Sequence, residues 1–366
     1  MGAEIRTKTP GKLMVAGELA VLEPYHQLIV TAVDRFLYTT IQDSKIFEVH
    51  IENYKLFHQR FHFDGREAKF EKEGKAIRFV KSALTTTLTY LREKNIDVTP
   101  FTLTIQSELD DTKSGQKYGL GSSAAVVTSV TTAILTKFLN DKPNKEIIFK
   151  LAAIAHTKTQ GSGSGADIAA STYGGVLKYA SFQAEWLLAK LEQMESLRKF
   201  VEEEKWTYLT IEQLQLPPSL FFCVGWTGKP ASTKSLVGEI KRLKEKDPKS
   251  YEQFLENSKR AVQLIVRGME ENDIDQFYKG IENNRKALSE IGQIANVEIE
   301  TKKLYILSIE AKRFGGAGKL SGAGGGDCGI AFVPSKEASE KLHKSWLEKG
   351  IKPLKIGIYS NGSEKV

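Results

Sequence analysis

The sequence predicts a protein of two α+β domains. Its 366 residues exceed the size of one ordinary domain, and 41% of them are hydrophobic, which is enough to fill two cores. Strand-like and helix-like segments follow one another without the regular alternation that builds a doubly wound parallel sheet. We place the boundary at residue 185, so that residues 1–185 form one domain and residues 186–366 the other.

The first domain is predicted to begin with strands and to end with helices. A half-buried strand is indicated at residues 101–107, where Phe101, Leu103 and Ile105 alternate with polar residues. A helix is indicated at residues 76–93, where apolar residues recur on one face. Further elements are predicted as strands at 29–41 and 47–51 and as helices at 122–139 and 145–158.

The second domain is predicted to hold fewer strands and more helix. Its elements are a strand at 219–226, several helices between about 234 and 313, a strand at 328–333, a helix at 337–349 and a strand at 353–359. A glycine-rich turn precedes the strand at 328–333, so the turn is anchored by an apolar segment.

Composition disfavours nucleic-acid and membrane proteins. The formal net charge is +7, but basic residues alternate with acids in runs such as KRLKEKDPK, which is typical of solvated helix faces. No run approaches 18 apolar residues, and the N-terminal residues lack the apolar core of a secretory signal. Cys223 and Cys328 adjoin apolar runs, which favours buried thiols and a cytoplasmic location. An excess of positive charge also suits a polyanionic small substrate.

The first segment that can carry chemistry is Tyr118-Gly-Leu-Gly-Ser-Ser-Ala-Ala125. Glycines directly before a helix let backbone N–H groups converge on an anion, and the helix dipole reinforces that attraction. Ser122 and Ser123 fall in the first helical turn, where a hydroxyl can reach a phosphate or Mg²⁺, or can simply cap the helix. A Walker A loop is absent, because GxxxxGK[ST] occurs nowhere in the sequence.

Two further glycine-rich segments occur later in the sequence. Residues 321–328 read SGAGGGDC, and so many glycines cost backbone entropy on folding. Close approach of the backbone to a ligand is the favoured reason for them, and a mobile surface loop is the alternative. Residues 161–170 read GSGSGADIAA. The GSGSG part resembles a linker, but an acid and a helix-like apolar run follow it directly. Asp167 is therefore either a catalytic carboxylate or an acid that favours the helix dipole.

Taken together, these segments resemble the GHMP kinase family. Segment 119–125 is similar to the family's phosphate loop, segment 321–326 to its C-terminal glycine loop, and residues 10–18 to its opening strand motif. Within the family, KxPGKLxxAGExAVLEP at 8–24, QKYGLGSS at 116–123 and GWTGKPAST at 225–233 look most like bacterial phosphomevalonate kinases. The resemblance implies an N-terminal domain like ribosomal protein S5 domain 2, a ferredoxin-like C-terminal domain and an active site in the cleft between them.

The resemblance also implies a reaction and its participants. The γ-phosphoryl group of ATP would pass, with Mg²⁺, to 5-phosphomevalonate, giving 5-diphosphomevalonate on the mevalonate route to isoprenoids. No nucleic acid or membrane partner is implied, and the protein would be a monomer or a homodimer. Lys12 would neutralise charge in the transition state, and Asp167 would orient Lys12 or the acceptor, or take a proton.

The resemblance, together with the lysines beside its motifs, assigns the remaining site residues. Binding of the ATP phosphates is assigned to Lys117, Gly119, Leu120, Gly121, Ser122, Ser123 and Ala124. Binding of the acceptor is assigned to Lys12, Lys117, Lys158, Ser164, Ser232, Thr233, Ser321, Gly322 and Ala323. Ser123 is the single assigned metal ligand.

Two departures from the family pattern bear on the site. Mevalonate kinases carry a Mg²⁺-binding glutamate eleven residues before the catalytic aspartate, but this chain has His156 there, for which a packed helix residue is the simpler interpretation. Asp327 stands where many relatives have glycine. The alternatives left open are mevalonate kinase, diphosphomevalonate decarboxylase and a non-catalytic protein of the same fold. The missing glutamate disfavours mevalonate kinase, and Lys117 before the loop disfavours the decarboxylase.

Overall fold

A computed structural model describes residues 4–110, 116–230 and 233–366, the last range with side chains from residue 236 onward. The first half contains strands β1 (Ile5–Ala16), β2 (Gln27–Asp43), β3 (Glu48–Ile51), β4 (Leu56–Phe63), β5 (Ala68–Phe70), β6 (Phe101–Ser107) and β7 (Val176–Ala180). Its helices are α1 (Arg78–Glu93), α2 (Ser122–Phe138), α3 (Lys145–Gln160) and α4 (Ala166–Tyr173).

The second half is mainly helical. Its helices are α5 (Ala184–Gln193), α6 (Leu197–Glu202), α7 (Thr233–Lys246), α8 (Pro248–Glu270), α9 (Ile274–Ile294), α10 (Lys302–Arg313) and α11 (Lys336–Glu348). Its strands are β8 (Thr210–Leu214), β9 (Phe221–Trp226), β10 (Ala317–Leu320), β11 (Cys328–Val333), β12 (Lys352–Leu354) and β13 (Glu364–Lys365).

The strands form two separate sheets. A nine-stranded sheet runs in the order β13-β1-β2-β6-β3-β4-β5, with β7 paired to β2 and β8 paired to β7. A four-stranded antiparallel sheet has the order β10-β11-β9-β12. Helices α1, α2, α3 and α4 pack together beside the first sheet, and α10 packs on β10 and β11 of the second. The α+β class predicted from the sequence is confirmed.

The change from one sheet to the other does not coincide with the predicted boundary at residue 185. Strand β8 still belongs to the first sheet, so the sheets change over between Leu214 and Phe221. The C-terminal strand β13 then returns to pair with β1. The division of the chain into residues 1–185 and 186–366 stays a prediction.

The last predicted strand is much shorter than expected. Residues 353–359 were expected to form it, but β12 ends at Leu354. The following residues cross back to the first sheet, where Ile358 bridges Val33 and the Tyr359 N–H donates to the Ala32 carbonyl. No helix in the described ranges is both long enough and apolar enough to cross a lipid bilayer.

Strand β1 places a half-buried lysine beside the loop before α2. Its pairing with β2 shifts register between Pro10 and Gly11, at a proline that has no N–H to donate. A Cβ atom on Gly11 would lie 2.9 Å from the Leu120 carbonyl oxygen, so only glycine lets β1 approach the loop before α2 this closely. Lys12 follows directly, and its backbone N–H donates to the same carbonyl at 2.9 Å.

Candidate functional site

Helix α2 begins with backbone groups available to an anion. Gly119 and Gly121 adopt φ of 83° and 82°, and Gly121 is the N-cap residue. The first intrahelical bond runs from the Ala125 N–H to the Gly121 carbonyl, so the preceding N–H groups of the turn have no helical partner. Because glycine has no side chain to cap them, these donors can bind phosphate oxygens. Neither Ser122 nor Ser123 is the cap residue, which disfavours the interpretation of this segment as a simple serine cap.

The two serines are held by different side chains. The Ser122 hydroxyl donates to Asp110 Oδ1 at 3.2 Å, and the Ser123 hydroxyl lies 3.1 Å from His156 Nε2. Burial raises the pKa of Asp110, and this is opposed by the charge of Lys117 and the bond from Ser122.

His156 is a buried part of the candidate site. It is only 4% exposed and stacks on Phe79 with ring centroids 5.1 Å apart. Burial lowers the pKa of His156, against the opposing charge of Asp167 nearby. The neutral ring therefore positions the Ser123 hydroxyl. The sequence had marked this position through its distance from Asp167, but its contact with Ser123 was not predicted.

Lys12 and Asp167 approach the same glycine. The Lys12 ammonium donates to the Gly119 carbonyl at 3.1 Å. A Cβ atom on Gly121 would lie 3.0 Å from Lys12 Cγ and 3.7 Å from Asp167 Cβ. The structure thus brings the lysine and the aspartate together at the loop before α2; their catalytic roles stay a prediction. Among the described residues, no ion pair within 4.0 Å joins Lys12 to Asp167.

The segment before Asp167 is folded against the core and is not a linker. Gly165 has φ of 77°, and a Cβ atom there would lie 2.3 Å from the Phe182 ring. The Ser164 carbonyl accepts from the Tyr179 hydroxyl at 2.5 Å, and the Ser164 hydroxyl accepts from the Ala166 N–H at 3.4 Å. Asp167 is half-buried in the first turn of α4.

The glycine loop of residues 321–327, called the Gly322 loop below, contacts both β1 and the loop before α2. The Ser321 hydroxyl accepts from the Met14 N–H at 2.8 Å, two residues beyond Lys12. The Cys328 thiol lies 3.1 Å from the Tyr118 carbonyl, and a Cβ atom on Gly119 would lie 2.7 Å from the Asp327 side chain. Ser321 is therefore a neighbour of the candidate site; its binding of the acceptor stays a prediction.

A buried ion pair supports this junction and was not predicted. Lys319 Nζ donates to Glu18 Oε1, and the two side chains are 0% and 2% exposed. The same carboxylate oxygen accepts from the Gly322 N–H at 3.4 Å. When the Asn284 amide is assigned the orientation that satisfies both of its ends, its nitrogen donates to Glu18 Oε2 at 3.0 Å. Glu18 stands in an otherwise apolar run, VAGELAVL, and a charged residue in such a run was the available signal.

Of the remaining assigned residues, one lies beside the site, one is exposed at a helix end and two are not fully described. Lys117 is exposed, and its backbone forms an isolated β-bridge with Asp110, the residue that accepts from Ser122. Lys158 is solvent-exposed in the last turn of α3, although desolvation by surrounding atoms lowers its pKa. Ser232 and the side chain of Thr233 lie outside the described residues.

Comparison with known proteins identifies the family. The GHMP kinase N-terminal domain model matches residues 78–175, and the GHMP kinase C-terminal model matches residues 265–352. A phosphomevalonate kinase of Streptomyces sp. (strain CL190) is 33% identical over 361 residues, which cover 95% of each chain. The chain belongs to the GHMP kinase family. The N-terminal model includes Asp167 and the loop before α2, and the C-terminal model includes the Gly322 loop.

Two solved structures superpose on nearly the whole chain. A Lin0012 protein from Listeria innocua is 40% identical with a TM-score of 0.93, covering 100% of this chain and 99% of that one. The Streptococcus pneumoniae phosphomevalonate kinase in complex with phosphomevalonate and AMPPNP is 26% identical with a TM-score of 0.81, covering 99% of both chains. The GHMP kinase fold predicted from the sequence is confirmed.

Proposed function

We propose that this GHMP kinase transfers the γ-phosphoryl group of ATP to 5-phosphomevalonate, giving 5-diphosphomevalonate and ADP. The observation that carries the proposal is that Lys12 and Asp167 both approach Gly121 of the loop before α2, while Ser321 bonds Met14, two residues beyond Lys12 on β1. Similarity along 95% of the chain to a phosphomevalonate kinase supports the choice of acceptor. A related structure binds phosphomevalonate and AMPPNP, which supports the same pair of substrates.

The chemistry follows from the charge of the two substrates. An acceptor phosphate is already an anion at neutral pH, so its oxygen can attack the γ-phosphorus without a strong general base. The bond from the γ-phosphorus to the bridging oxygen breaks, and ADP leaves with that electron pair. The main requirement is to hold two polyanions in contact, and Lys12 supplies fixed positive charge at that point. Asp167 would orient Lys12 or the acceptor, and would take a proton from an acceptor that arrives protonated.

The donor atoms near α2 fit a magnesium ion that binds mainly through ATP. Mg²⁺ keeps several waters and takes few protein ligands, usually oxygens, beside substrate phosphates. The Ser123 hydroxyl at the helix start is such an oxygen, whereas the imidazole of His156 is not a preferred ligand. Ser123 would hold the ion, His156 would orient the hydroxyl, and Mg²⁺ when bound would screen the phosphate charge.

The acceptor would be held by residues from both halves of the chain. Ser164, Ser321, Gly322 and Ala323 lie on the loops around Lys12 and Asp167, and Lys117 lies beside Ser122. Lys158 is the least supported of the assigned residues, because no described contact joins it to the others. A cytoplasmic location and a monomer or homodimer remain part of the proposal.

A coupled ADP-release assay tests the acceptor. Purified protein with Mg·ATP should release ADP rapidly with 5-phosphomevalonate and little with mevalonate or galactose. Comparable turnover of mevalonate would reject the proposed acceptor while leaving a kinase. Release of CO₂ from 5-diphosphomevalonate would instead identify a decarboxylase. No ADP with any of these substrates, from folded protein that binds ATP, would overturn the proposal.

A further inference from the structure

Two histidines and a glutamate meet on the hairpin of β3 and β4. Side chains alternate along a strand, so Glu48 and His50 lie on the same face of β3. The pairing with β4 slips between Val49 and Ile51, so that two residues of β4 face one residue of β3. This bulge places His58 beside His50, with the rings 4.9 Å apart. His58 adopts φ of 54°, an uncommon conformation for a residue other than glycine.

The donor atoms of the three side chains converge on one point. His50 Nε2 lies 3.0 Å from Glu48 Oε2, and His58 Nδ1 lies 3.1 Å from Glu48 Oε1. One ligand atom from each residue lies within 4.8 Å of the other two. Ligands about 2.0–2.2 Å from a tetrahedral Zn²⁺ are roughly 3.3 Å from one another, so small side-chain rotations would suffice. The Glu48 side chain is only 12% exposed, which fixes its position.

The protonation of the two histidine rings is compatible with cation binding. His50 Nδ1 accepts from the His58 N–H at 3.4 Å, so the neutral His50 ring carries its proton on Nε2, toward Glu48. A cation bound at Nε2 would move that proton to Nδ1, at the loss of one long hydrogen bond. The His58 side chain is 74% exposed, so its second nitrogen can carry the ring proton in water. Neither ring must be charged or newly buried for a cation to bind.

We propose that Glu48, His50 and His58 bind a divalent transition-metal cation of the Zn²⁺ class. Imidazole ligands favour Zn²⁺, Cu²⁺ and Ni²⁺ over Mg²⁺, which prefers oxygen, so this site is chemically distinct from the proposed nucleotide site. Strand β3 is the third strand from β1 in the sheet, away from Lys12. Three protein ligands leave a fourth position for water. The bound cation joins β3 to β4 at the bulge and stabilises the folded hairpin.

Titration with Zn²⁺ alone tests the site. Protein treated with EDTA and then freed of it should bind one Zn²⁺ in isothermal titration calorimetry, and its melting temperature should rise with Zn²⁺. His50→Ala and His58→Ala each remove a ligand and should weaken binding by more than roughly 10–100-fold, the loss known for a supporting contact alone. His62→Ala is the matched control, because His62 is an exposed histidine on β4 outside the cluster.

The outcomes separate the proposal from ordinary surface histidines. Binding of one Zn²⁺ by wild type and His62→Ala, with loss in His50→Ala and His58→Ala, supports it. Absence of stoichiometric binding by wild type, or equal binding by all variants, overturns it. If His50→Ala fails to fold, the exposed His58 decides, with circular dichroism in EDTA as the folding control. ADP release, measured without Zn²⁺, should be unchanged in His58→Ala.

Discussion

Removal of the buried Lys319 ammonium should strongly destabilise the protein. Lys319→Met deletes the donor to Glu18 Oε1 and to the Leu320 carbonyl, and it leaves the Glu18 carboxylate buried without a cation. The bonds from Gly322 and Asn284 to Glu18 remain but carry no positive charge. Breaking one side of a buried pair typically costs about 3–5 kcal/mol, so the free energy of unfolding should fall by that amount.

A double variant and a surface pair define the controls. Glu18→Gln with Lys319→Met removes both charges and should recover part of the loss, because no unpaired charge is then buried. Lys312→Met breaks the pair between Lys312 and Glu282, which lie 2.8 Å apart at 66% and 44% exposure. That exposed pair should contribute less than about 1 kcal/mol.

Urea denaturation followed by circular dichroism measures these differences, and steady-state kinetics adds a functional readout. Because Glu18 also holds the Gly322 N–H, Lys319→Met should raise the KM for the acceptor more than the KM for ATP. A loss below about 1 kcal/mol in Lys319→Met, equal to that of Lys312→Met, would show that the buried pair is not important for stability.

Three further predictions concern the site itself. Ser123→Ala should lower kcat and raise the Mg²⁺ requirement with little change in melting temperature, because Gly121 is the cap residue; a large stability loss with unchanged Mg²⁺ dependence contradicts this. Lys12→Met should lower kcat roughly 10²–10³-fold and Asp167→Asn roughly 10²-fold or more, with the double variant little worse than the poorer single; near-normal kcat in folded Asp167→Asn would leave Asp167 only a helix-start acid. Burial lowers the pKa of His156 in the folded protein. Below about pH 6.5 the unfolded chain therefore binds a proton that the folded protein does not, and the free energy of unfolding falls on acidification, by up to about 1.4 kcal/mol at pH 5.5. Urea denaturation at pH 7.5 and 5.5 should show a smaller fall in the free energy of unfolding for His156→Gln than for wild type. An equal fall in both proteins would show that His156 is not the source of the pH dependence.

Local patterns predicted the elements whose signal lies within a short stretch of sequence. Alternation at residues 101–107 corresponds to β6, and the helical spacing at 76–93 corresponds to α1 within two residues at its start. Strands β4, β5, β7, β8, β10 and β13 were not predicted. For β7 and β13 the reason is that each pairs with a strand far away in the sequence. The end of β12 was also not predicted, since the chain beyond Leu354 returns to the first sheet through a distant contact of Ile358 with Val33.

The loop before α2 is the part of the candidate site that the spacing of glycines in the sequence indicated. Gly119 and Gly121 have the positive φ that such a loop requires, and Asp167 approaches Gly121. The lysines were chosen because they adjoin motifs in the sequence, and Lys158 shows the weakness of that argument: it is exposed at a helix end. The contact of His156 with Ser123 depends on how α3 packs against α2, which no local pattern reveals.

The site depends on contacts between segments about 300 residues apart in the sequence. Met14 bonds Ser321 across 307 residues, and Glu18 bonds Lys319 across 301. Both contacts begin on the segment that carries Lys12; one ends in the Gly322 loop and the other two residues before it. The position of the lysine and that of the loop are therefore coupled through one short stretch of chain. A buried charge pair is a poor source of net stability, but it strongly disfavours any arrangement that separates its two partners. We infer that Glu18 and Lys319 contribute chiefly to specificity of the fold: they fix the Gly322 loop against β1, where the acceptor is proposed to bind.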